Sequence, residues 1–461
     1  MRAWSLALGI CVGVLLTPPL WMVALVAIPA MRFRRNSFVA LMLAGLAIGG
    51  VRSHQTASPS TIIGELAATV TTCDLQGLVE PRSGSMGTFI EVRTLDCDGV
   101  VHRLGSMVVT EPTSIPSGSG LSATVRLSPL FDGSFDQALR RMGAEARAEL
   151  LSEPQLTAPS GISAVAASVR NGVREASAVM DGDDAALLRG LVIGDTEGFS
   201  PEQEERFRDA GLAHLVAVSG SNVAIVTGAL LLAFGRLPRI ARYTIAALGL
   251  AVYVVVVGPE PSVLRATTMG AIGIWAALTG RLTESFAALG LAVGVVVAMR
   301  PDLLYSVGLH LSVAATTGII LWAAPIADRI PGPRIVALAA GVTVSAQIAV
   351  APIIGAAFGV YSLAALPANL IAAGAVAPAT VLGLAAGIVS LAVPPIGASI
   401  ARLAVVPVAW INHVASAFGG AAWAEVGISP HAAAVTGVLC AMLVALSLRV
   451  RYQAVLDNLG G

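Results

Sequence analysis

Long apolar runs, interrupted by short loops that carry arginine, glycine or proline, dominate this chain. Residues 3–16 and 20–31 are two such runs, split by Thr17-Pro18-Pro19, and 37–51 is a third. Nine more follow from residue 212: 212–234, 243–257, 262–279, 284–299, 303–323, 335–358, 363–393, 398–418 and 432–448. A helix needs about 20 apolar residues to cross a bilayer, so the pattern predicts a polytopic α-helical membrane protein with about twelve spans. The run 363–393 is too long for one crossing and is broken by Pro367 and Pro378. An interfacial or re-entrant piece plus a crossing is expected there. No small-x-small cleavage site follows the first apolar run, so a helical hairpin is preferred over a signal peptide.

Two intervals depart from this pattern. Between 52 and 158 the segments Glu65–Thr72, Thr88–Thr94, Val100–Val109 and Leu121–Leu127 are short and β-prone, with Gly, Ser, Pro and Asp between them. They predict a small OB-like β domain inserted after the third span. Over 159–211 the pattern is helical. Ile162, Val165, Val169, Val173 and Val179 alternate with Arg170, Arg174 and Glu175, as in amphipathic, interfacial helices that lie at the membrane surface or pack on the bundle. Ser200 as N-cap, Pro201 at the first position and Gln203 as capping-box partner open a polar helix that Gly211 closes in a left-handed turn.

Composition supports the membrane reading. Hydrophobic residues make up 56% of the 461, charged residues 12%, and mean hydropathy is +0.80. Net charge is zero, so composition says nothing about a polyanionic partner. Arg32, Arg34, Arg35, Arg236, Arg239, Arg242, Arg281, Arg329, Arg334, Arg449 and Arg451 all fall on one side if the spans alternate. The positive-inside rule makes that side the cytoplasm, together with both termini, and leaves the 52–190 insert outside. Cys73 and Cys97 are the cysteines of that insert, and a disulfide between them is expected if it faces an oxidising compartment. No Cys/His cluster has metal-ligand spacing, and no phosphate-binding or dinucleotide fingerprint appears, so no cofactor and no catalytic activity are expected.

The chemistry that remains is a set of polar groups at membrane depth, where they are expensive unless they face protein or water. His214, Ser219, Gly220 and Asn222 sit inside what is otherwise a continuous apolar run. The stretch Gly211-Leu-Ala-His-Leu-Val-Ala-Val-Ser-Gly-Ser-Asn-Val223 resembles the signature of the ComEC family of competence proteins. So do Gly194-Asp195 before it, Pro261–Met269 with Arg265, Gly308–Thr316 with His310 and Ser312, and Ser345-Ala-Gln347 through Asn369. The end of the insert, Phe135-Asp136 through Ala148, resembles the end of that family's N-terminal soluble domain. Where the family signature usually reads Ser-Gly-Leu-His, this chain has Ser219-Gly220-Ser221-Asn222, and His310 stands where Gln is common. The resemblance implies a bacterial cytoplasmic-membrane channel that passes single-stranded DNA, with domains at 1–51, 52–158, 159–211, 212–450 (the channel) and 451–461 (a cytoplasmic tail).

On that reading His214, Ser219, Asn222, Arg265, His310, Ser312, Gln347 and Asn369 line the path. Asp195, Gly211 and Gly220 are structural, and Asp195 is expected to pair with an arginine. Partners implied are single-stranded DNA, membrane lipids, a separate nuclease, a DNA receptor and a cytoplasmic helicase or single-strand-binding protein. The metallo-β-lactamase-like domain of many relatives, with its His-x-His-x-Asp-His motif, is not found in this sequence. Two other classes are weighed. A small-molecule transporter fits the broken run at 363–393. An intramembrane serine hydrolase would need Ser219 and His214, which are five residues and about 140° apart on a helix.

Overall fold

The computed structural model describes residues 63, 66–69, 72–79, 88–103, 107–111, 119–130, 139, 144–196, 198–216, 220–258, 261–279, 285–299, 307–421, 424–429 and part of 432–447. The expected spans at 3–16, 20–31 and 37–51 and the tail 451–461 lie outside the described residues.

Alternating inward apolar residues build the N-terminal sheet. Its strands are β1 (Thr72–Val79), β2 (Thr88–Cys97), β3 (Val100–Arg103), β4 (Met107–Thr110), β5 (Gly120–Pro129), β6 (Ala144–Leu150) and β7 (Gln155–Thr157). β1 pairs antiparallel with β2 and with β5, β2 with β4, and β5 with β6. The one parallel pairing, β4 with β6, closes the circuit β1-β2-β4-β6-β5 into a five-stranded barrel. Leu75, Ile90, Val92, Val108, Val125 and Leu127 fill it. Cys73 and Cys97 are joined by a disulfide that ties the start of β1 to the end of β2.

The structure corrects three strand expectations. Residues 66–69 are a helical turn, with the Thr69 hydroxyl donating to the Leu66 carbonyl, and β1 starts only at Thr72. Val100–Val109 is two strands, β3 on β2 and then β4. β6, Ala-Glu-Ala-Arg-Ala-Glu-Leu, was not anticipated because every residue in it favours helix. Its alternation decides instead, with Ala144, Ala146 and Ala148 buried beneath the barrel wall.

Twelve helices follow among the described residues: α1 (Gly161–Ser177), α2 (Gly182–Ile193), α3 (Pro201–Asp209), α4 (Ala213–Val216), α5 (Gly220–Ala233), α6 (Arg239–Val257), α7 (Pro261–Thr279), α8 (Ser285–Met299), α9 (Val307–Ala327), α10 (Arg334–Phe358), α11 (Ala365–Ser390) and α12 (Pro394–Phe418). By length and composition α6, α9, α10, α11 and α12 are each able to cross a membrane, and α5 and α8 are shorter apolar helices. The chain is thus a multi-pass membrane protein.

Small residues set how closely these helices approach. A Cβ on Gly318 of α9 would meet the Ser345 carbonyl oxygen of α10 at 2.5 Å, and one on Gly341 would strike the Ala323 carbonyl. α9 and α10 are therefore an antiparallel pair in backbone contact, the usual way membrane helices pack. The stretch 363–393 is not broken. α11 is one continuous helix, because Pro367 lies in the first turn, where a missing N–H is harmless, and Pro378 falls opposite Gly374.

The amphipathic interval 161–190 is also revised. It forms two helices, and of its anticipated apolar stripe only Val169 and Val173 are buried, while Ile162, Val165 and Val179 are exposed. α1 docks edge-on instead: Gly172 packs on the backbone of Gly387 in α11, and Arg170 is buried. α3 starts as expected, with the Gln203 amide donating to the Ser200 hydroxyl at 3.1 Å. The Gln203 side chain does not complete a capping box. It donates to the Asp183 carbonyl and to Asn412 Oδ1, tying α3 to α2 and α12.

Candidate functional site

Arg265 lies one turn into α7 and is 8% exposed. Its Nε donates to Ser312 Oγ at 2.6 Å and one terminal nitrogen donates to Thr316 Oγ1 at 2.7 Å, both on α9; the same nitrogen lies 3.6 Å from Met269 Sδ. The second terminal nitrogen faces the first residue of α5, where a Cβ on Gly220 would sit 2.7 Å from it. Gly220 thus leaves room for the guanidinium beside α5.

Charge makes this arrangement unusual. A buried cation normally sits against a carboxylate or at the C-terminal end of a helix. Arg265 instead lies one turn into α7, against Gly220 of α5 and the Ser312–Thr316 turn of α9. Among the described residues its hydrogen-bond partners are neutral, and no carboxylate forms an ion pair with it. Glu260, the acid nearest in sequence, lies outside the described residues. Among the described residues the site is thus a buried cation held by neutral hydroxyls.

The other expected path residues separate into groups. Ser312 touches Arg265 directly. Asn222 is buried and donates to the Leu191 carbonyl, joining α5 to α2, with its Oδ1 left without a partner. Asn369 donates to the Gly211 carbonyl at 3.2 Å and to the Ala365 carbonyl at 2.7 Å, joining α11 to the turn before α4. His214 and His310 are exposed and Gln347 is half-buried. Ser219 lies outside the described residues. Thr316 and Met269, absent from the expected set, join the site because each lies four residues after Ser312 or Arg265 on the same helix face.

The structural residues behave distinctly. Asp195 accepts from Arg174 Nε at 2.8 Å. Gly211 takes φ +67°, and a Cβ there would also collide with Ala365. Arg170, not anticipated as a site residue, donates to the Val256 and Val255 carbonyls at 2.6 and 2.8 Å. Burial, with Arg174 adding to it and Asp195 opposing, pulls its pKa down to about 10, so it stays charged at neutral pH.

No solved structure matches the chain. A curated relative, ComE operon protein 3 of Bacillus subtilis (strain 168), is 30% identical over 141 residues, which cover 30% of this chain and 18% of the relative. The chain thus aligns with well under two thirds of that protein's length. The profile of the competence protein family matches residues 191–452, α2's end through the last apolar run, and so takes in Gly220, Arg265 and Ser312. The chain belongs to the competence protein family, of ComEC-like type.

Proposed function

We propose that this protein passes single-stranded DNA across the bacterial cytoplasmic membrane during transformation, with Arg265 meeting the backbone phosphates at the mouth of α5. The observation that carries the reading is the buried Arg265 guanidinium, bonded among the described residues to neutral hydroxyls rather than to an acid. A polyanion cannot enter hydrocarbon, so its charges need water and a few cations along the route. Too many cations would trap it, since a conducting path has to admit and release its cargo. One arginine supported by Ser312 and Thr316 meets both demands.

Membership of a competence family supports a role in DNA uptake. Translocation would need partners: a nuclease, a DNA receptor and a helicase or single-strand-binding protein. On this reading the protein itself catalyses no reaction, and its barrel is an OB-type module on the outer face. The test is uptake of labelled DNA by cells carrying Arg265→Ala or Arg265→Lys at matched membrane levels. Arg265→Ala is expected to lower uptake at least about tenfold, the loss of one charge-assisted contact of ~1.5–3 kcal/mol. Arg265→Lys is expected to recover part of it, because lysine keeps the charge but not the fork. Wild-type uptake in Arg265→Ala would remove the phosphate role.

A further inference from the structure

α11 and α12 are long and apolar enough to cross a membrane, yet their contacts contradict a crossing. The N-termini of α7 and α9 lie together through the Arg265–Ser312 bond. α10, antiparallel to α9, ends on that same face. α6 ends there too, since only three residues separate Val257 from Pro261. α11 begins on that face, six residues after α10 ends, with the Ala365 amide donating to Ser362 Oγ.

The far end of α11 lies there as well. Val173 of α1 packs on Gly387, while Arg170, one turn earlier on α1, bonds the last carbonyls of α6. Gly383 packs on Leu188 and Val192 of α2, whose Leu191 carbonyl accepts from Asn222 of α5. If α11 ran straight across, Gly387 would lie roughly 33 Å deeper than Ala365 at 1.5 Å per residue, more than the ~30 Å of a hydrocarbon core. The contacts hold it instead at the depth of the end of α6.

α12 carries a second, independent sign. Its outward face is divided lengthwise: Arg402, His413 and Ser416 form one exposed stripe, and Leu403, Val406 and Trp410 the adjoining one. A helix in mid-bilayer has no use for an exposed arginine eight residues from its start. A helix lying in the interface does, with its cation among headgroups and its Trp and Leu in the acyl boundary. Between the two helices an open apolar groove of about 730 Å³ passes Pro378, Leu382, Val406, Pro407 and Trp410.

From these contacts we infer that the α11–α12 hairpin does not span the membrane: it lies in the lipid headgroup–acyl boundary, on the face where α6 ends and α7 begins. The lipid leaflet is its partner. Removing two crossings leaves the alternation of all later loops unchanged.

Labelling in a Cys11→Ser, Cys440→Ser background tests this independently of DNA uptake. Ala392→Cys, in the α11–α12 turn, is expected to react with an impermeant maleimide from the same side as Glu202→Cys and from the opposite side to Arg236→Cys. Reaction from the Arg236 side would overturn the inference. If the turn is shielded from reagent, a spin label at Val406, the midpoint of α12, decides. In-plane placement predicts a depth of about 5–10 Å below the headgroups, and a crossing predicts ~15 Å, half of a ~30 Å core.

Discussion

Two arginines, 8% exposed each, reach toward the same face of the helical bundle and are held in opposite ways. Arg170 gives its donors to Val255 and Val256, the last carbonyls of α6, where the helix dipole is negative and the orphan acceptors need a partner. Arg174 and Asp195 pair beside it. Arg265 lies away from any such helix C-terminus and leans on hydroxyls. The first arrangement is complete without a ligand and reads as architecture. The second, among the described residues, holds a charge with neutral partners alone, and the proposed function rests on that difference.

Three substitutions separate the two. The largest effect is expected for Arg170→Ala, which strips charge-assisted bonds from a buried helix end. A loss of about 3 kcal/mol is expected, read as a lower Tm in detergent and less protein in the membrane. If its Tm matched wild type while DNA uptake fell, the division of roles would be reversed. Arg265→Ala comes next: stability, read from Tm, within ~1 kcal/mol of wild type, because relief of the burial of a charge offsets the lost bonds to hydroxyls. A steep fall in Tm there would make Arg265 structural as well. The smallest effect is expected for Asn369→Ala, which removes an interhelical bond to Gly211 worth about 0.6 kcal/mol. Its Tm should move slightly and uptake should stay near wild type. A tenfold loss of uptake would return Asn369 to the path.

This comparison also shows what the sequence could carry. Arg265 and Ser312 were legible because a charge and a hydroxyl interrupt otherwise apolar runs. Their mutual contact was not, since 47 residues separate them. Asn222 and Asn369 look identical to path residues in sequence, yet their amides donate to backbone carbonyls of neighbouring segments. Arg170 was read as the polar edge of an amphipathic helix, because nothing local announces that the end of α6 will lie beside it. Helix ends from 220 to 418 were readable from hydropathy to within about four residues. Depth was not: α11 and α12 have the composition of spans, and only tertiary contacts at Gly383 and Gly387 reveal where they run. In the barrel, β6 shows the same limit, since a helix-prone composition was overruled by its neighbours.

The parallel pairing of β4 with β6 has a consequence for how the chain is made. β6 is the stave between β4 and β5, so the barrel is open until Leu150 has left the ribosome. At about 5–20 residues per second, the 21 residues from Leu130, just after β5, to Leu150 take roughly 1–4 s. Throughout that interval β4 and β5 present unpaired edges, the kind that recruit foreign strands. The disulfide closes only the β1–β2 hairpin and leaves those edges bare. Biogenesis of this membrane protein therefore has a vulnerable window set by strand order, and a chaperone that shields strand edges would act within it.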